Sequence, residues 1–121
     1  MPDRAKVEAF ARMVEDGKFV EAIEQYYAES ASMQENQAAP RVGRDVLIEG
    51  EKATIARNVS VDCQRLGPVL IEGDQVAIRW RFRFVGRDGK DRELDEIAWQ
   101  TWSGDKIVAE TFFYDPAQLK A

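Results

Sequence analysis

Any acid–base chemistry in this chain must come from Asp, Glu, Tyr, Lys or Arg, because the sequence contains no histidine. That absence excludes nucleophiles activated by imidazole and metal sites built on histidine. Four side chains are candidate catalytic groups: Glu35, Asp95, Glu110 and Tyr114. A carboxyl group beside apolar walls has a raised pKa and can act as a general base, so the chemistry to expect is proton transfer.

The composition predicts one domain over residues 1–121 and excludes several classes of partner. A net charge of −5 and a pI near 4.8 argue against a nucleic-acid surface, which needs clustered cations. The one cationic cluster, Arg79, Arg81 and Arg83, is interpreted as a cross-strand charge pattern, because Arg81 is expected opposite Glu96. No apolar run approaches the roughly 20 residues that span a bilayer, and no signal-peptide pattern opens the chain, so we expect a cytoplasmic protein without membrane contact.

We expect neither a metal nor a cofactor. Cys63 is the single cysteine, which rules out an intrachain disulfide and a thiolate zinc cluster, and it is interpreted as a core residue. No Asp-x-Asp spacing suggests a site for a hard cation. Paired carboxylates are also used by glycosidases, but a chain of this length hardly provides a sugar cleft.

The elements that must position these groups are predicted from hydrophobic periodicity. Apolar residues at helical spacing indicate helices over residues 3–15, which Gly17 ends, over the segment from Phe19 to Tyr27, and over residues 44–57. A short edge strand is expected over residues 32–35. From Val59 onward the period is two, and turn pairs at residues 73–74, 88–89 and 104–105 separate four strands. The predicted class is α+β, with three N-terminal helices packed on a curved antiparallel sheet.

The turn pairs predict which side chains share a face of the sheet. If residues 88–89 and 104–105 are two-residue loops, Phe82, Asp95 and Tyr114 lie in one row across three strands. The predicted inner face then carries Ile78, Trp80, Phe82, Asp95, Ile97, Trp99, Glu110, Phe112 and Tyr114. The predicted outer face carries Arg79, Arg81, Arg83, Leu94, Glu96, Ala98, Trp102, Ala109 and Phe113. A slip of one residue in either hairpin would move both acids to the outer face.

The order of these parts resembles a known superfamily. The run DGKFVEAIEQYYAESASMQENQAAPRVGRDVLIE, the strands that follow and the terminal SGDKIVAETFFYDP are similar to nuclear transport factor 2-like proteins, especially the ketosteroid-isomerase-like and SnoaL-like members. The resemblance implies a cone-shaped α+β barrel of cystatin-like topology with a pocket at its open end. It also implies homodimers formed by the outer face of the sheet, where we expect Ala98, Trp102, Ala109 and Phe113 to form an apolar patch.

The resemblance carries over one isomerase residue and loses two. Glu35 falls where the isomerases hold their proton-shuttling carboxylate, but Phe10 stands in place of the oxyanion-hole tyrosine, and residues 97–99 lack the second, acidic donor. Steroid isomerisation by that mechanism is therefore not expected. The epoxide-hydrolase pattern is not matched either, because its last-strand aspartate falls on Phe112 and its Arg-x-Asp on residues 79–81.

Two functions of different class remain open. The first is a cofactor-independent isomerase, cyclase or dehydratase that acts on a small apolar carbonyl or polycyclic compound. Its ligand-binding residues would be Tyr27, Met33, Trp80, Phe82, Ile97, Trp99 and Phe112. The second is a non-catalytic module that only holds an apolar ligand or assembles as a dimer. In that interpretation Glu35 is a solvated loop carboxylate, and Asp95 and Glu110 are paired with cations such as Lys106.

Overall fold

The computed structural model describes residues 2–120, which form three helices and one sheet. The helices are α1 (Arg4–Glu15), α2 (Phe19–Tyr26) and α3 (Arg44–Ala56). The strands are β1 (Tyr27–Glu35), β2 (Arg41–Val42), β3 (Asn58–Arg65), β4 (Leu70–Glu72), β5 (Gln75–Gly86), β6 (Asp91–Ser103) and β7 (Lys106–Phe113). A 3₁₀ helix at Pro116–Leu119 follows the last strand. No helix in this part of the chain is long and apolar enough to cross a membrane.

Local signals fix the corner between the first two helices. The Asp3 side chain accepts from the Lys6 N–H at 2.7 Å and caps the start of α1. Gly17 follows the helix with a φ of +80°, and the Lys18 N–H donates back to the Met13 carbonyl. This arrangement needs the left-handed conformation that glycine adopts without strain, so Gly17 ends α1 as predicted.

The sheet is open, curved and mixed. Its strand order is β2-β1-β7-β6-β5-β3, and β4 is an additional partner of β5. Strands β3, β5, β6 and β7 follow chain order as expected, but β1 runs parallel to β7. The first strand is also longer than the predicted residues 32–35, and it lies inside the sheet between β2 and β7 rather than at an edge. The three helices and this sheet together confirm the α+β fold.

The hairpin between β5 and β6 departs from the predicted register by one residue. Its loop has three residues, 87–89, rather than two: the Gly86 N–H donates to the Lys90 carbonyl at 2.9 Å, and Gly89 has a φ of +83°. A three-residue loop with a left-handed final glycine is a common hairpin solution. As a result Arg81 lies opposite Asp95, and every side chain of β6 points to the face opposite the predicted one.

The hairpin between β6 and β7 starts in the predicted register and then shifts. Ser103 lies opposite Lys106, as a two-residue loop at 104–105 requires. A bulge between Thr101 and Trp102 then moves the pairing by one, so Gln100 lies opposite Glu110. This second shift compensates for the first, and Glu110 and Phe112 stay on the inner face where they were expected.

The helices cover the inner face, but α3 covers it differently from α1 and α2. The first two helices bury continuous apolar stripes against the sheet. Within α3 only Leu47 is buried, and the inward face continues with Gly50, Glu51 and Thr54. Ile55, predicted to belong to an apolar stripe, is 39% exposed. The third helix therefore borders a cavity rather than a filled core.

Candidate functional site

A cavity of about 830 Å³ lies between the helices and the inner face of the sheet. Its deep part is walled by apolar side chains from the helices, β5 and β6, among them Phe10, Phe19, Ile23, Trp80, Phe82 and Leu94. Four glutamates also line it: Glu35, Glu51, Glu96 and Glu110. A concave apolar site with a few converging polar groups is the usual form of a small-molecule site.

Glu110 is held by two neutral donors on the inner face. It is 3% exposed; Tyr27 donates its hydroxyl to Oε1, and Gln100 Nε2 donates to Oε2 at 2.7 Å. The amide of Gln100 is itself oriented, because Trp102 Nε1 donates to its oxygen at 2.9 Å. Burial raises the pKa of Glu110 to about 7, and the two donors oppose that rise. Glu110 thus loses its proton near neutral pH.

Glu96 lies on the same face without any such support. It is 6% exposed, and its Oε2 has no hydrogen-bond partner among residues 2–120. Burial raises the pKa of Glu96 to about 9, and the neighbouring carboxylates of Glu110, Glu35 and Glu51 contribute. At neutral pH this group is a carboxylic acid, and it can donate a hydrogen bond to a molecule in the cavity.

Glu35 sits at the side of the cavity beside a cation and a phenol. Arg41 donates to its carboxylate at 3.2 Å, and the Tyr114 hydroxyl donates to it at 3.1 Å. Burial raises the pKa of Tyr114 to about 12, with Glu35 adding to the effect, so the phenol keeps its proton. Glu51 of α3 also lines the cavity. Burial raises the pKa of Glu51, and the positive charge of Arg41 opposes that rise. Within residues 2–120, no group of three or more acidic, Cys or His side chains is arranged to hold a metal ion.

Eight of the eleven predicted site residues line this cavity. Glu35, Glu110, Tyr114, Tyr27, Met33, Trp80, Phe82 and Phe112 do so. Asp95, Ile97 and Trp99 do not, because the three-residue loop turns the odd-numbered residues of β6 to the outer face. There Asp95 forms a two-pronged ion pair with Arg79 at 2.6 and 2.9 Å. Ile97 is 44% exposed and Trp99 is 47% exposed. Asp95 therefore cannot contact Tyr114, whose hydroxyl binds Glu35 instead.

Three residues of the site, Glu51, Glu96 and Gln100, were not predicted from the sequence as site residues. Glu51 was overlooked because a polar residue on a helix normally faces solvent. Glu96 was predicted to lie on the outer face because a two-residue loop was expected, and Gln100 was not predicted on either face. Both faces of β6 mix acids with large apolar groups, so polarity could not correct that choice. The one available signal was Asp88-Gly89 itself, which also fits the end of a three-residue loop.

Comparison with known proteins identifies the fold and the family. The sequence matches the model of the SnoaL-like domain over residues 7–110, whereas no curated protein matches it. A protein assigned as a SnoaL-like polyketide cyclase from Mesorhizobium loti is 22% identical, with a TM-score of 0.77 over 91% of this chain and 97% of that one.

Two further solved structures share the fold at lower identity. A protein with a ketosteroid isomerase-like fold from Catenulispora acidiphila, in complex with trimethylamine, has a TM-score of 0.80 at 16% identity, over 96% of this chain and 89% of that one. TerC, co-crystallised with polyporic acid, has a TM-score of 0.77 at 12% identity, over 93% and 91% of the two chains. At these identities the likeness shows the nuclear transport factor 2-like fold and no particular activity.

Proposed function

The chain belongs to the SnoaL-like domain family, and we propose that it is a cofactor-independent enzyme that transfers a proton on a small apolar carbonyl or polycyclic compound. The observation that carries this proposal is that one cavity holds two carboxyl groups in opposite roles. Glu110 ionises near neutral pH, while Glu96 stays protonated to about pH 9. Titratable groups whose environments separate their pKa values are the usual sign of an acid–base pair.

The proposed first step removes a proton from the carbon next to the substrate carbonyl. Glu110 takes that proton, the electron pair moves toward the carbonyl oxygen, and the neutral Glu96 donates a hydrogen bond to the developing oxyanion. Return of the proton at another carbon gives isomerisation. Attack of the enolate carbon on a second carbonyl of the substrate gives cyclisation, in which the new alkoxide takes the proton back from Glu110. Loss of a β-hydroxyl, which leaves as water with that same proton, gives dehydration.

Glu35 is the other candidate base, as the sequence comparison implied. It lies at the side of the cavity with its carboxylate bound by Arg41 and Tyr114. Its side chain is 42% exposed, whereas Glu110 is almost entirely enclosed. We favour Glu110 because a carboxylate in a dry apolar site is a stronger base than one that water and a guanidinium stabilise.

Deuterium exchange tests the proposal without knowledge of the product. A panel of apolar mono- and polycyclic ketones is incubated with the protein in D₂O, and incorporation at the carbon next to the carbonyl is followed by NMR. We expect Glu110→Gln to slow exchange by about a hundredfold or more, with Asp95→Asn, on the outer face, as the matched control. Exchange that survives Glu110→Gln but not Glu35→Gln would move the base to Glu35.

The pH profile separates the two acids and also tests for catalysis itself. The rate should rise as Glu110 ionises near pH 7 and fall as Glu96 loses its proton near pH 9. Glu96→Gln should remove the alkaline limb, because an amide keeps a donor and does not ionise. Binding of these ketones without any exchange would support the non-catalytic module instead.

A further inference from the structure

Two arginines stand at the end of the cavity that the β5–β6 hairpin and the C-terminus of α3 form. Arg57 follows α3, and Arg87 lies in the hairpin loop; the Arg87 N–H donates to the Arg57 carbonyl at 3.1 Å, which holds the two residues together. Both line the cavity. Arg87 Nε donates to the Ala56 carbonyl at 2.9 Å, and Arg57 Nη2 donates to Thr54 Oγ1 at 3.2 Å.

These two guanidinium groups differ from the other cations of the cavity. Arg41 is paired with Glu35, and Arg92 is paired with Asp88 at 3.0 Å. Within residues 2–120, Arg57 and Arg87 form no ion pair with a carboxylate, and each uses only one side-chain nitrogen in a hydrogen bond. Two positive charges with free donors therefore face the cavity at this end.

A row of aromatic rings connects this end with the deep part of the cavity. Trp80, Phe82 and Phe84 project from alternate positions of β5 toward the same face. Phe82 and Phe84 are stacked, with ring centroids 5.8 Å apart and planes 10° from parallel. Trp80 and Phe82 follow at 6.4 Å. A flat ring system can lie along this row with one end near Arg57 and Arg87.

We infer that the ligand of this cavity is an elongated aromatic or polycyclic carboxylic acid, whose carboxylate binds Arg57 and Arg87 while its rings lie along Phe82 and Phe84. The inference rests on the proposed function in that the same cavity is the ligand site. A planar guanidinium matches the two oxygens of a carboxylate, so both arginines can donate to it. The opposite orientation would bring the anion close to Glu110. The reacting carbonyl is therefore directed toward the deep acids.

Two nearby features oppose an anion, and neither cancels the site. The C-terminus of α3 carries partial negative charge, but Arg87 already covers the Ala56 carbonyl. The carboxylate of Asp88 is bound by Arg92 and by the Lys90 N–H at 3.0 Å. Both arginines are solvent-exposed, so screening by water and salt limits the gain in binding affinity. We therefore expect a carboxylate to be preferred over a neutral analogue by about tenfold rather than by several orders of magnitude.

Matched probes test the inference. The affinities of 4-biphenylcarboxylate and of its neutral isostere, 4-biphenylcarboxamide, are measured by calorimetry at neutral pH and low salt. We expect the wild type to bind the carboxylate about tenfold more tightly. Arg57→Gln with Arg87→Gln should abolish that preference and leave the affinity for the amide unchanged. Arg81→Gln removes an exposed cation on the outer face and should preserve the preference.

The outcomes distinguish this inference from the proposed function. Equal binding of the two probes to the wild type would overturn the inference alone, as would a preference that survives in the double variant. Binding of neither probe would overturn both the inference and the assignment of the cavity as a ligand site. Unchanged affinity of the double variant for the amide shows that the cavity is intact, so a lost preference cannot be ascribed to misfolding.

Discussion

Asp95 and Glu96 are neighbours in the chain, yet the two faces of the sheet give them opposite electrostatic environments. On the outer face, Arg79 binds the Asp95 carboxylate in water, and this contact lowers its pKa. On the inner face, burial raises the pKa of Glu96 to about 9. The side of the strand, rather than the local sequence, therefore decides whether an acid of this protein is a surface ion-pair partner or a proton donor.

Each face of the sheet also carries a hydrogen bond between a tryptophan and a glutamine, so the two environments can be compared for neutral groups as well. On the outer face, Trp99 Nε1 donates to Gln75 Oε1 at 2.8 Å. On the inner face, Trp102 Nε1 donates to Gln100 Oε1 at 2.9 Å, and the Gln100 amide continues to Glu110. The geometry is nearly the same, but only the inner pair is closed to water. If the inner hydrogen bond is lost, no water molecule can take the place of the missing partner.

The largest expected effect is on the pH dependence of stability. A carboxyl whose pKa is raised on folding holds its proton more tightly in the folded state, so the free energy of unfolding falls as pH rises from about 4.5 to about 9. Glu96→Gln should remove a decline on the order of a few kcal/mol, measured by urea unfolding at several pH values. Glu110 adds to this decline between about pH 4.5 and 7.

Asp95→Asn is the control for this measurement. The pKa of Asp95 is lowered, so its contribution to stability is present above its unfolded pKa and disappears only as the pH falls through the lowered value. The fall in the free energy of unfolding between about pH 4.5 and about pH 9 should therefore be unchanged in this variant. An equal flattening in both variants would mean that the two faces do not differ as described.

The next largest effect is expected from Gln100→Leu. This change removes a donor to Glu110 and leaves the indole N–H of Trp102 unpaired in the core, so we expect a loss of about 2–3 kcal/mol in the free energy of unfolding. The pKa of Glu110 should rise further, because one of the two donors that lower it is lost. Gln75→Leu removes the matching outer contact and should cost less than about 0.5 kcal/mol.

A smaller effect is expected on self-association. The outer face carries an apolar patch of Ile97, Trp99 and Phe113, each between 43 and 47% exposed, which we predict to be buried in a homodimer. Trp102 and Ala98, first expected in this patch, are buried inside. Trp99→Glu should weaken dimerisation by about tenfold or more in sedimentation experiments. Val59→Glu, an exposed change on β3, should not, and a monomeric wild type would refute the prediction.

The smallest effect is expected from Asp95→Asn at neutral pH. Its ion pair with Arg79 is exposed, so its loss should cost less than about 1 kcal/mol and should become undetectable at high salt. Thermal unfolding at low and at high salt measures both quantities. A cost of several kcal/mol, insensitive to salt, would show that Asp95 belongs to a desolvated network like that of Glu110.

Much of the fold was predictable because its signals are local. The stripe of α1, the glycine that ends it, and the two-residue turns at 73–74 and 104–105 each depend on a few neighbouring residues, and the structure has all of them. The strand pairing of β1 with β7 was not predictable in this way. The two segments lie more than 70 residues apart, and their parallel register is fixed by packing rather than by a turn.

The candidate site shows the same division. The sequence alone predicted the fold class and the position of Trp80 and Phe82 on the inner face. It also offered Glu35, Glu110 and Tyr114 as candidate site residues, and the structure places all three at one cavity. Only the tertiary structure decided that Glu96 rather than Asp95 faces that cavity, that Gln100 supports Glu110, and that Glu51 of α3 points inward. The physical reason is the two-residue period of a strand. One additional residue in the β5–β6 loop turns β6 over relative to β5, and the bulge that follows restores the expected face of β7. Neither change alters the local propensity of any residue.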